Sequence, residues 1–474
     1  MRFLRPLQVS IFCLGTLTLT ACDDSSSEPA PTSLDDELRG VLVAAADGQG
    51  LEYFAMPASD DLASIPQDPR NPLTPEKVAL GKLLFHETAL GVNPEKNEGF
   101  GTYSCASCHH AAAGFQAAVP QGIGEGGVGF GRYGERRRLA AGYAPTEIDK
   151  QPIRTPAALN LAWQEAMLWN GQFGATGVNA GTEAQWNPET PIGTNALGYE
   201  GLETQAIAGL GVHRMGDGAV EVVRAVPAYA GLFDEAFPDF PEGERATQET
   251  AGLAIGAYER TLLANEAPFQ RWLRGETGAM SQAQKRGAIT FFGKAECATC
   301  HTGPALSSMS FHALGMGELV GPGVFSEFNP EDPVHLGRAG FTQRDEDRFA
   351  FKTPQLYNLG DHVFFGHGVT FNSVREVVEY KNAAVVQSEI IPAEAVSPHF
   401  RPLDLTEDEI DDLTVFLERG LYDASLTRYV PDALPSGNCF PNNDEESRRD
   451  LGCAGPAARP AAIVPLGIAR GVGR

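Results

Sequence analysis

Four cysteines and two histidines carry the most distinctive chemistry in this chain. They fall into Cys105-Ala-Ser-Cys108-His109 and Cys297-Ala-Thr-Cys300-His301. Two thiols three positions apart can each add to a vinyl group of a haem, and the imidazole that follows then sits under the iron as proximal ligand. The motifs therefore predict two covalently attached haem c groups, bound through Cys105, Cys108, Cys297 and Cys300, with His109 and His301 as metal ligands. Zinc sites and redox-active dithiols also use Cys-x-x-Cys spacing. Neither needs a histidine directly after the second cysteine, yet one stands there both times.

Holding such groups calls for short helices joined by irregular loops. Thr74 is a good N-cap with Pro75 at the first helical position, leading into Val78, Leu80, Leu83, Leu84 and Phe85 ahead of the first motif. Ser281 caps a second apolar-faced segment, Gln282 to Phe292, ahead of the second motif. Further helices are expected over Ser373 to Tyr380 and from the capping box Thr406-Glu-Asp-Glu409 to near Gly420. Convincing strands are few, and 53 glycines and 33 prolines favour long connections. The expected fold is all-α: two cytochrome-c-like haem domains with long irregular loops, at 51–270 and 271–425. Two stretches, 119–143 and 171–201, are glycine-rich. Gly122, Gly124 and Gly127 match the dinucleotide fingerprint, but no strand run precedes them and no helix clearly follows. A mobile loop over the first haem is expected there instead.

The N-terminus reads as an export signal over 1–21, with Arg2 and Arg5 ahead of an apolar stretch, Leu7 to Leu19. That stretch is too short to span a bilayer. Leu19-Thr20-Ala21-Cys22 resembles the lipobox of bacterial lipoproteins, in which Cys22 becomes the lipidated first residue. Residues 22–50 then form a polar tether and lead-in. The expected location is the bacterial cell envelope, periplasm-facing and lipid-anchored to a membrane. Cys439 and Cys453 remain in the tail, 426–474, where an oxidising compartment makes a disulfide the default. The net charge of −25 excludes nucleic acid as a natural partner and favours cationic ones, such as a basic electron-donor protein.

Around the two motifs stand other recognisable segments. Leu80-Gly-Lys-Leu-Leu-Phe-His-Glu-Thr-Ala-Leu90 precedes the first. Thr155-Pro156 with Asn160, Leu168-Trp169-Asn170-Gly171 and Ala254-Ile-Gly-Ala-Tyr-Glu-Arg-Thr-Leu262 lie between them. Phe351-Lys-Thr-Pro354 and Asn358 follow the second. In this order, from about Pro72 to Gly420, the chain resembles the bacterial di-haem cytochrome c peroxidases and the related tryptophan-modifying enzyme MauG. The resemblance implies an oxidoreductase: the first haem meets hydrogen peroxide, and the second stores or relays an electron.

The resemblance also implies site residues. No histidine lies between His110 and His213, where many family peroxidases place a reversible distal ligand, so the first haem is expected to be five-coordinate. The methionines after His301 are Met309 and Met316, well ahead of the helix at 371–380. The MauG-like branch puts a tyrosine ligand on that helix, which makes Tyr380 the expected ligand of the second iron, with Lys381 the alternative one residue on. Trp169 matches a tryptophan that carries charge between the haems, and Gln205 matches a distal glutamine. Where a glutamate is expected, the chain reads Val212-His213-Arg214-Met215. His213 is then the expected proton shuttle and Arg214 the charge stabiliser. A bridging calcium is left open, because Arg154 stands in what resembles a ligand position. The expected activity is peroxide reduction with electrons from a small cytochrome or copper protein. The alternatives are MauG-like oxidation of an aromatic residue on a partner protein, and a non-enzymatic electron carrier or haem sensor.

Overall fold

Helix starts follow the caps written in the sequence. In the computed structural model, which describes residues 33–216 and 218–453, Thr74 Oγ1 accepts from the Lys77 amide at 3.2 Å and opens a helix at Pro75. Ser281 and Thr406 each close a reciprocal capping box, with Gln284 and Glu409. The signal segment and Cys22 lie outside the described residues.

In chain order the helices are α1 (Leu34–Ala45), α2 (Pro75–His86), α3 (Gly201–Val212), α4 (Ala219–Arg224), α5 (Pro227–Ala236), α6 (Gln248–Arg260), α7 (Pro268–Leu273), α8 (Gln282–Phe292), α9 (Ala339–Thr342), α10 (Val374–Ala383), α11 (Glu407–Val415) and α12 (Glu445–Asp450). α11 runs on into a π-helical turn, Phe416–Gly420. Two antiparallel strand pairs complete the described structure: β1 (Gly127–Val128) with β2 (Arg138–Leu139), and β3 (Phe311–His312) with β4 (Phe351–Lys352). This is the all-α class read from the sequence. No helix among the described residues is long and apolar enough to cross a membrane.

One apolar core runs from Leu38 to Tyr429 through both halves. Its frame is two helix crossings, each made at a glycine. α2 meets α6 at Gly81, where an added Cβ would overlap the Ala254 carbonyl oxygen; α8 meets α11 at Gly287, where it would overlap that of Asp412. Both crossed helices lead into a Cys-x-x-Cys-His loop.

α6 also carries Arg260, fully buried. Its guanidinium holds both carboxylate oxygens of the equally buried Glu203 at 2.8 and 2.7 Å, and Glu200 at 2.8 Å. A buried charge survives only when paired in this way.

The lead-in contributes structure that its composition did not announce. α1 packs on α8, and Asp35 accepts from Trp272 Nε1 at 2.6 Å and from Lys285 Nζ at 2.9 Å. The glycine-rich loop is organised by the β1–β2 pair, and the buried Arg137 donates to the carbonyls of Ile123 and Gly124. No helix follows the glycines at 122–127, so the dinucleotide reading fails on structure as well.

Cys439 and Cys453 are disulfide-bonded, as expected. The tail they close reaches back to the first motif: the Pro441 carbonyl accepts from Ser104 Oγ at 2.9 Å and from Ser107 Oγ at 3.2 Å, and Arg137 pairs with Asp444 at 3.1 Å.

The glycine crossings give a direct test. Gly81→Ala and Gly287→Ala each force a methyl into a backbone carbonyl, and each is expected to destabilise the haem-loaded protein by about 1–3 kcal/mol in thermal or denaturant unfolding. Unchanged midpoints would show that the helices move apart freely.

Candidate di-haem site

Each motif forms a short 3₁₀ turn that delivers two thiols and an imidazole to one place. Ser104 and Ser107 cap the first turn reciprocally, Cys105–Ser107. The second turn, Cys297–Thr299, starts from Glu296 in a left-handed conformation. All four cysteines are free.

The histidines are oriented by the backbone. His109 Nδ1 donates to the Phe115 carbonyl at 3.3 Å; His301 Nδ1 faces the carbonyls of Leu306 at 3.0 Å and Pro354 at 3.1 Å. A carbonyl can only accept, so Nδ1 carries the proton and Nε2 is left as a lone-pair donor, the tautomer a metal needs. Burial lowers the pKa of both rings to about 4, which keeps them neutral.

Beside the second motif lies a cavity of about 320 Å³ walled by Cys297, Cys300 and His301, by Phe291, Phe351 and Phe365, and by one face of α10. Two buried cations stand in the same wall. Arg154 bonds the Gln116 side chain, and Lys352 bonds the Gln164 side chain and the Ala166 carbonyl at 2.7 Å. Burial lowers Arg154 to about 9 and Lys352 to about 7. Neither has a carboxylate partner among the described residues. Free thiols, a neutral imidazole, an apolar wall and uncompensated cations fit an iron porphyrin with its two carboxylate arms. Among the described residues no cluster of three or more His, Cys, Asp or Glu side chains is placed to hold a metal ion, and Arg154 puts positive charge where a calcium ligand was considered.

Near the first motif the structure gathers groups distant in sequence. Tyr103, two residues before Cys105, donates to the Arg214 carbonyl at 2.8 Å. His213 Nδ1 lies 3.0 Å from Asp149 Oδ2, and Arg214 pairs with the fully buried Glu125 and donates to the Glu147 carbonyl at 2.7 Å. Burial opposes charge on His213, but the Asp149 carboxylate outweighs it and raises the pKa. Gln205 is half-buried on α3, eight positions before His213. Glu125 and Asp149 went unnoticed in the sequence. Glu125 lies on the glycine-rich segment and Asp149 on the loop that follows it, joined by the Asp149 amide donating to the Glu125 carbonyl at 3.0 Å. Nothing near 213 in the chain signals them.

Of two other histidines near the first motif, His110 is committed at both ring nitrogens and His86 at Nδ1 alone. Both ring nitrogens of His110 face carbonyls, of Ala106 at 3.2 Å and Tyr133 at 2.9 Å. His86 is buried with Nδ1 on the Lys82 carbonyl at 2.8 Å and its ring against Phe440.

Trp169 lies in the wall of the second cavity. Its Nε1 donates to the Arg154 carbonyl at 2.8 Å, and its ring meets His367 edge-on at 6.2 Å. His367 was missed, although an internal repeat points to it. Thr155-Pro156 with Asn160 and Thr353-Pro354 with Asn358 align, both asparagines are left-handed, and the bridges Met167–Phe173 and Phe365–Phe371 enclose Trp169 and His367 at matching positions.

Tyr380, the expected ligand, is not among the residues of the cavity wall. Its hydroxyl donates to the Leu314 carbonyl at 2.6 Å and its ring packs between Phe371 and Phe400. Lys381, the next residue, lines the cavity.

Comparison with known proteins identifies the family. The family model described as di-haem cytochrome c peroxidase matches residues 75–278. Methylamine utilization protein MauG of Methylorubrum extorquens is 31% identical over 426 residues, covering 88% of this chain and 96% of its own. Cytochrome-c peroxidase IdrP1 of Denitromonas iodatirespirans is 29% identical, covering 80% and 89%. Among solved structures, a MauG-like protein associated with microbial copper homeostasis aligns with a TM-score of 0.57 at 24% identity, over 80% of this chain and 97% of that one, a likeness of fold. With two oriented Cys-x-x-Cys-His sites and a 31% identical relative along nearly the whole chain, the protein belongs to the di-haem cytochrome c peroxidase family that includes MauG.

Proposed function

We propose that the protein is a peroxidase that reduces hydrogen peroxide to two waters at the first motif, in residues 51–270. Two electrons come from an external donor by way of the second motif, in residues 271–425. The observation that carries this reading is the unequal company of the two proximal histidines. The side of His109 gathers acid–base groups, whereas the wall facing His301 is mainly apolar and cationic. When bound, two c-type haems supply an iron that accepts peroxide oxygen and a second iron that exchanges single electrons.

The residues divide the remaining work. Asp149 fixes the His213 ring through Nδ1, which leaves Nε2 to take the proton from peroxide and return it to the departing oxygen. Arg214, held by Glu125, offers positive charge to the oxygen that becomes anionic. Gln205, on the helix that leads into this turn, is a donor for orienting peroxide. With both ring nitrogens of His110 facing carbonyls, that histidine does not close the first site. Trp169, beside the second cavity, supplies an aromatic stepping stone between the motifs. The donor is a small basic cytochrome or copper protein, matched to a chain of net charge −25. MauG-like oxidation of a partner protein's aromatic residue is the second reading, favoured by the 31% identity to a MauG. A lipid anchor at Cys22 and a periplasm-facing site complete the proposal, and the Cys439–Cys453 disulfide supports an oxidising compartment.

EPR of the ferric protein should show one high-spin and one low-spin haem, with peroxide-dependent oxidation of a reduced small cytochrome. Two low-spin signals indifferent to peroxide would make the protein a carrier. His213→Gln is expected to lower kcat/KM for peroxide by about 10²- to 10⁴-fold. Asp149→Asn keeps the imidazole but removes the carboxylate that raises its pKa, so His213 stays neutral to lower pH and the acid limb of the pH–rate profile moves down. An unmoved limb removes His213 as the base. Trp169→Phe should slow electron transfer between the sites several-fold in stopped-flow reduction while leaving the initial reaction with peroxide unchanged.

A further inference from the structure

The helix opposite the second motif presents one face to the cavity. Val374, Val377, Val378 and Lys381 all line it, spaced at i, i+3, i+4 and i+7, the spacing of a single helical stripe. Three of the four are apolar; the last ends in an amine. Tyr380 points off that stripe, with its phenol already spent on the Leu314 carbonyl at 2.6 Å.

We propose that Lys381 Nζ is the protein's second axial ligand to the iron of the second motif, opposite His301. The inference rests on the di-haem reading and deepens it by naming a coordinating atom. Lys381 has no carboxylate partner among the described residues; its Nζ lies over the Phe400 ring, 5.7 Å from the centroid. It shares the cavity wall with Cys297, Cys300 and His301, which places the amine beside the whole second motif.

Among the other donors in the wall, His312 is hydrogen-bonded at both ring nitrogens, whereas the Nε2 atoms of His362 and His367 are buried without a hydrogen bond, which makes imidazole the rival ligand that the spectrum must exclude. His312 has Nδ1 on Ser397 Oγ at 3.1 Å and Nε2 on Ser310 Oγ at 3.0 Å, next to Cys300 on the attachment edge, and His399 packs against it. His362 Nε2 faces the backbone of Gly114, on the loop of the first motif. Met316 lies against the Gly366 turn. On binding iron, the Lys381 ammonium releases one proton to solvent and its nitrogen lone pair forms the new bond; no electron is transferred.

The test is spectroscopic and uses the holo-protein. Near-infrared magnetic circular dichroism of the unmodified ferric form distinguishes amine from phenolate, thioether or imidazole coordination without any substitution, and an amine signature is expected. Lys381→Ala should convert the low-spin EPR signal of the second haem to high spin while covalent haem content, read by mass, stays at two. Tyr380→Phe should leave that signal as it is. A phenolate, thioether or bis-imidazole signature overturns the assignment. So does a Lys381→Ala protein that keeps the parent low-spin signal, or loss of that signal in Tyr380→Phe, Met316→Leu or His399→Gln. Failure of the peroxidase reading would be seen separately, as an absence of peroxide turnover with the ligand signature intact.

Discussion

The arrangement hangs on two backbone carbonyls. Each proximal histidine is aimed by a hydrogen bond from Nδ1 to a carbonyl on the loop just after its own motif, of Phe115 in one half and Leu306 in the other. Both acceptors are non-glycine residues in the left-handed region, with φ of 58° and 47°. Such a conformation costs of order 1–3 kcal/mol and persists only where the surroundings over-determine it. Here both side chains are fully buried in the main core, and burying a large apolar side chain contributes about 1.5–3 kcal/mol. The core therefore clamps the turn, the turn presents the carbonyl, and the carbonyl fixes which nitrogen is left for a metal. The glycine crossings at α2–α6 and α8–α11 serve the same end, by bringing the helix ahead of each motif hard against the core.

The same device appears twice because the chain repeats itself. Thr155 to Phe173 and Thr353 to Phe371 share a Thr-Pro start, a left-handed asparagine and an antiparallel bridge around a tight turn. Pro354 helps to hold His301, and Pro156 has a weaker backbone interaction with His109. The turn tips, Trp169 and His367, meet in a T-shaped contact. An aromatic from each half thus stands at the contact between them, which is where a path from one motif to the other has to cross.

Much of this was legible in the sequence, and the exceptions are instructive. Caps at Thr74, Ser281 and Thr406 gave helix starts to within a residue, because the cap is a local hydrogen bond between near neighbours. The haem motifs were legible for the same reason: their chemistry is confined to five consecutive residues. α1 was absorbed into a lead-in, since a 12-residue helix resting on α8 owes its stability to packing rather than to its own sequence. Glu125 and Asp149 were invisible because loop closure, not helical spacing, brings them to Arg214 and His213. The tail's grip on Ser104 and Ser107 spans more than 300 residues and has no local signature. The inward stripe of α10 was within reach: the valines at 374, 377 and 378 already mark it, and continuing it one turn arrives at 381 and passes 380 by.

If one loop device aims both histidines, the difference between the two sites has to come from what approaches each histidine from the far side. For His301 that is α10, a regular helix whose inward stripe is fixed by its periodicity and ends in an amine. Near His109 it is the turn after α3 together with the loop from Glu125 to Asp149, which contribute His213, Arg214, Glu125 and Asp149 on irregular backbone. A helix presents a donor at one fixed depth, which suits permanent coordination. A loop carrying paired acids and bases instead leaves room for a small reactant and supplies its protons. On the proposed reading, the division of labour between the motifs follows from that contrast: the same proximal half-site is made static by a helix and reactive by a loop.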